Sequence, residues 1–110
     1  MKRSRTYSPY AIEAAQLLGG RVRLARRSRR WSMRELAERA GMTIPTLRRI
    51  ERGDLTVSLG AAFEAAALVG VPLFNEDRAQ LSIDLDRTRD RIALLPQRVR
   101  PRREDVKDDF

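Results

Sequence analysis

The chain has 110 residues, with 23 Lys and Arg against 15 Asp and Glu, a net charge of +8 and a pI near 11.3. That length suits one domain with appendages, and that charge favours a polyanionic partner, either nucleic acid or an acidic membrane surface. There is no histidine and no cysteine, which removes disulfides, thiolate metal sites, the commonest general base and the thiol nucleophile, so an enzyme, a cofactor and a metal are not expected.

No apolar run approaches the ~20 residues of a membrane span. The opening MKRSRTYSPY is basic but lacks the apolar stretch of a secretory signal, and a cytoplasmic location is expected. Residues 1–7 are polar and basic, and read as a disordered segment or an arm. Ser8-Pro9 is a helix start with proline at the first helical position. From there Ala11, Ala15, Leu18, Val22 and Ala25 mark one helical face running to about Arg29, with Gly19-Gly20 placed to bend or split it. Arg30-Trp31 turns the chain, and Trp31 is expected to plug the core between helices.

Ser32 with Glu35 three residues on is a capping box opening a second helix, whose Leu36, Ala37 and Ala40 are apolar at helical spacing. Gly41 supplies the positive φ of a tight reversal. Thr43 caps a third helix, in which Pro45 is tolerable because first-turn N–H groups have no intrahelical partner. Leu47 and Ile50 form its buried side and Gly53 stops it. Two short helices joined by so tight a turn form a helix-turn-helix. Ser58 caps a fourth helix, with Leu59, Ala62, Phe63, Ala66 and Val69 expected inward and Gly70-Val71-Pro72 at its end. So alanine-rich a core is thin for a lone subunit, which points to association.

Between Asn75 and Leu95, the residues Leu81, Leu85, Thr88, Ile92 and Leu95 follow the four-three spacing of a coiled-coil seam. Leu81, Ile83 and Leu85 also alternate as in a half-buried strand; three alternations weigh less than five seam positions, and helix is favoured. Residues 97–110 carry Arg98, Arg100, Arg102 and Arg103 and then an acidic end. They read either as a flexible solubilising tail or as a segment that orders on a partner with Phe110 as anchor.

Residues 17–73 resemble the Xre-type helix-turn-helix proteins, which include phage repressors and many antitoxins. The resemblance is carried by Ser32, Leu36-Ala37, Ala40-Gly41-Met42, Leu47, Ile50-Glu51-Arg52-Gly53 and Gly70-Val71. The flanks SPYAIEAAQLLG and LLPQRVRPRREDVKDDF, together with GAAFEAAALVGVPLF, resemble HipB-type antitoxins, regulators encoded beside HipA-like kinase toxins. The implied fold is all-α, an Xre/phage-repressor-like bundle with an N-terminal helical extension (1–16), a DNA-binding domain (17–74), a dimerisation segment (75–96) and the tail.

In such a fold the third helix enters the major groove, where base edges carry a distinct donor and acceptor code. The candidate base-reading residues are Thr43, Ile44, Pro45, Thr46, Arg48 and Arg49. Ile44 and Pro45 replace the glutamine common at this point in repressors and point to thymine methyls instead. Arg49 is the best candidate for a bidentate contact to guanine, while Arg48 reads a base or grips phosphate. Ser32, Arg34 and Thr46 are placed for phosphate oxygens, and Arg21, Arg27, Arg29 and Arg30 supply a diffuse basic field. Glu51 would repel phosphate if exposed, so it should face inward or pair; the resemblance pairs it with Arg26, and the role we assign to the pair is to fix the angle of the reading helix.

The expected protein is therefore a dimeric repressor of a palindromic operator, with Leu81, Leu85, Ile92 and Leu95 as the dimer contact. The resemblance further implies autorepression and antitoxin action against a HipA-like kinase toxin. Two alternatives stand beside it: a stand-alone Xre regulator without a toxin, and a sequestering protein that binds no DNA. Arg48-Arg49 separates the last, which has no need of them.

Overall fold

A computed structural model describes residues 6–74 and 77–98. It contains α1 (Pro9–Ser28), α2 (Met33–Ala40), α3 (Ile44–Glu51), α4 (Leu59–Leu68) and α5 (Arg78–Ala93), with no strand among the described residues. The chain divides into two units, residues 1–76 with α1 to α4 and residues 77–110 with α5. The fold is all-α. The alternation of Leu81, Ile83 and Leu85 belongs to a helix, and the strand alternative falls.

Each of the first four helices is opened by a hydroxyl. Ser8, Ser32, Thr43 and Ser58 accept hydrogen bonds from the backbone N–H groups of Ala11, Glu35, Thr46 and Ala61 at 3.2, 3.0, 3.2 and 3.1 Å. At Ser32 the box closes both ways, because its own N–H donates to Glu35 Oε1 at 2.8 Å. The same four helices close alike. Paired bonds such as Gly53 N–H to Ile50 O and Asp54 N–H to Arg49 O satisfy carbonyls that the helix leaves orphaned. In α1 this closure has Arg30 in the left-handed region (φ 59°) where α2, α3 and α4 have glycine.

The core of the first unit is small and built from all four helices: Val22, Leu36, Ala37, Leu47, Ile50, Ala62, Ala65, Ala66, Val69 and Val71 are buried. α1 packs on α3 and α4, and α2 packs on the same two. Three expectations change here. α1 runs unbroken through Gly19-Gly20, and Gly19 is there for clearance: a Cβ on it would stand 2.8 Å from Glu51 O and closer still to Ile50 O. Leu59, expected inward, is 68% exposed, and Ala65 is fully buried in α4 instead. Trp31 is only half-buried at the rim of the core, with the Arg39 guanidinium 4.3 Å from its ring centroid.

α5 is capped by Asp77, whose side chain accepts from Ala79 N–H, and no residue in it is buried. Leu81, Leu85 and Ile92 all lie within α5, whereas Leu95 lies past its end, in a turn closed by a bond from its N–H to Ile92 O at 3.0 Å. Residues 1–5 of the expected arm and 99–110 of the expected tail, Phe110 included, lie outside the described residues.

Candidate nucleic-acid interface

α3 is short, and its two sides differ sharply. Leu47 and Ile50 are buried, Ile44 packs half-buried against the same core, and Pro45, Arg48 and Arg52 are exposed at spacings of three and four. Ile44 is thus turned inward rather than toward a groove, which follows from its place one turn before Leu47. Thr43 and Thr46 are joined through their hydroxyls at 3.0 Å as well as by the cap. Arg48 is exposed, with no bonded partner among the described residues. Arg52 is an exposed cation that sequence reasoning left out, although its three-four spacing from Pro45 and Arg48 was there to see.

Arg49 is not free. Its Nε donates to Asp54 Oδ2 at 2.9 Å and its Nη2 donates to Thr56 Oγ1 at 2.7 Å. Asp54 Oδ1 in turn accepts the Thr56 backbone N–H at 2.8 Å and the Thr56 hydroxyl at 2.7 Å. The Thr56 hydroxyl and N–H, and then the Arg49 guanidinium, hold the Asp54 carboxyl far below the usual carboxylate range. The signal for this network is local and was legible: Asp-x-Thr directly after a helix-stopping glycine is an Asx-turn pattern.

At the inner end of α3, Arg26 Nε donates to Glu51 Oε2 at 2.7 Å and Nη2 donates to Oε1 at 3.0 Å, a bidentate pair with side chains 8% and 6% exposed. A third bond, from Nη1 to the Trp31 carbonyl at 2.9 Å, ties the pair to the turn between α1 and α2. The hydrogen bond to Glu51 raises the Arg26 pKa above its ordinary value despite burial. A carboxylate in the last turn opposes the helix dipole, and the guanidinium offsets that. The pair thereby joins α1, the α1–α2 turn and the end of α3.

Ser32 and Arg34 are exposed at the start of α2. The Ser32 oxygen already accepts one N–H, but its hydroxyl proton remains available to an acceptor such as a phosphate oxygen. Arg21, Arg27, Arg29 and Arg30 are all exposed. Among the described residues no group of His, Cys, Asp and Glu is arranged to hold a metal ion, and no helix is long and apolar enough to cross a membrane.

An all-helical bundle with α2 and α3 joined by a tight αL turn defines the helix-turn-helix class. A family model described as helix-turn-helix matches residues 22–74, from the middle of α1 to the end of the α4 turn. The matched segment is similar to the Xre-type family and supports a DNA-binding transcription regulator. No curated protein and no solved structure matches the chain.

Proposed function

We propose that the protein is a sequence-specific repressor that binds a palindromic operator as a homodimer, one α3 per half-site. The observation that carries this is the two-sided build of α3. Its inner end is locked by the buried Arg26–Glu51 pair, while Pro45, Arg48 and Arg52 stand exposed and the Arg49 side chain is 39% exposed. Thr43, Pro45, Thr46, Arg48 and Arg49 are the base-reading set, with Ile44 a support from behind; Ser32 and Arg34 grip phosphate. The dimer contact is the apolar row of α5, where Leu81, Leu85 and Ile92 are 39%, 47% and 60% exposed, with Leu95 flanking it.

The resemblance of the flanks to HipB-type antitoxins supports a narrower role, autorepression together with neutralisation of a HipA-like kinase toxin. Selection of duplexes from a random pool by the full chain tests the DNA reading. The recovered sites should be inverted repeats with half-sites about one helical turn apart, as two-fold symmetry demands. Recovery of single, unrepeated half-sites would remove the dimer, and recovery of no common sequence would remove specific binding. Copurification with the product of an adjacent kinase-like gene tests the antitoxin role, and failure to form a complex refutes it.

A further inference from the structure

The network around Arg49 does more than occupy it. A guanidinium has two usable edges: the side edge, Nε with one Nη2 proton, and the end edge, Nη1 with the other Nη2 proton. Asp54 and Thr56 take the side edge completely, one donor each. No bond to Nη1 is made among the described residues, and the Arg49 side chain remains 39% exposed. Every other polar atom in the cluster is matched. The Thr56 hydroxyl donates to Asp54 and accepts from Arg49, and Asp54 Oδ1 takes two donors while Oδ2 takes the third. Asp54 is itself anchored to α3, since its N–H donates to the Arg49 carbonyl at 3.0 Å.

We propose that Asp54 and Thr56 are positioning residues for base recognition, holding Arg49 by its side edge so that its end edge is presented to the O6 and N7 of a guanine. This rests on the DNA reading above and adds to it which residues set specificity. A guanine offers two adjacent acceptors in the major groove, the complement of two parallel N–H donors, and no other base offers that pair. A free arginine would have to order its long side chain on binding; a clamped one is already ordered. The arrangement also explains why a carboxylate is present on the protein's outer side near its reading helix: its charge is neutralised by the residue it positions.

The test is duplex selection from a random pool, followed by affinity measurements on the selected duplex and on a scrambled one. Arg49→Ala identifies the base pair that Arg49 reads, as the position at which guanine preference disappears. Thr56→Val deletes one hydroxyl and keeps the backbone N–H that caps Asp54. Asp54→Asn keeps the size of the side chain, but a carboxamide has one acceptor atom where three donors need two, so it sets donor against donor at Arg49 or at Thr56. Each of these two variants should lower discrimination for guanine at that one position by at least about fivefold, the low end of what one bidentate contact supplies. Thr56→Ser should restore it. Affinity for the scrambled duplex should hold steady in Thr56→Val and hold or rise in Asp54→Asn, which sheds a negative charge.

Full guanine preference in both variants would overturn the positioning role while leaving DNA binding intact. So would an Arg49→Ala variant with unchanged preference at every position. If the unmodified protein itself selects no sequence, the DNA reading fails first, and the two failures are told apart.

Discussion

Removing Glu51 alone, as Glu51→Ala, leaves the Arg26 guanidinium with only the Trp31 carbonyl at 2.9 Å, in a place where its side chain is 8% exposed. Two charge-assisted bonds, at 2.7 and 3.0 Å, are lost, and burial leaves the stranded charge poorly solvated. Breaking a buried pair in this way commonly costs about 3–5 kcal/mol. The pair lies at the edge of a thin core, which favours about 3 kcal/mol, still a large part of the roughly 5–15 kcal/mol of a typical domain. The double variant Arg26→Met, Glu51→Leu removes both desolvation penalties and restores apolar contact. It should therefore be more stable than Glu51→Ala alone. Urea unfolding of the wild type, Arg26→Met, Glu51→Leu and the double variant closes the cycle, with a coupling energy above about 1 kcal/mol expected for residues in contact. The double variant should bind selected duplex less well than wild type, since no directional bond then ties α3 to the α1–α2 turn. Additive stability effects would refute the pair as a coupled unit; unchanged DNA affinity would refute its role in aiming α3.

Other consequences follow from particular residues. Gly19→Ala should destabilise by about 1–3 kcal/mol in urea, because its Cβ meets backbone oxygens of α3 that cannot step aside; Gly20→Ala, with open space around it, should stabilise by roughly 0.5–1 kcal/mol. Arg30→Gly should stabilise by about 0.5–1 kcal/mol, since an arginine there holds φ 59° in a closure that suits glycine. Because its folded pKa is depressed, Asp54 contributes stability at pH above its unfolded value near 3.9, and that contribution is lost as pH falls below it. Asp54→Asn should accordingly flatten the acid side of a stability profile below about pH 4, and a profile unchanged there would refute the assignment. Leu85→Asp with Ile92→Asp should sediment as monomer if α5 is the dimer contact; a dimer persisting at micromolar concentration would place the contact elsewhere.

What could be read in the sequence was whatever a few neighbouring residues decide. The capping box of Ser32 and Glu35, the Thr43 cap and the stops at Gly41 and Gly53 are local chemistry, and they outline α2 and α3 before any tertiary contact exists. Periodicity located Leu36, Leu47, Ile50 and Val22 in the core. It failed at Leu59, because the first residue of a helix shares the angular position of the core without sharing its depth. It failed at Gly19 for a related reason: helix propensity counts a glycine as a weak point, whereas this one is needed because the carbonyls of a helix far along the chain come too close for any side chain. The site divides in the same way. That Arg49 lies on α3 follows from spacing, but which edge of its guanidinium stays unbonded depends on where the loop after Gly53 returns. On the proposed reading, two levels of range meet at this site: helical spacing decides which residues α3 exposes, and a turn of three residues, Asp54 to Thr56, decides how Arg49 is held.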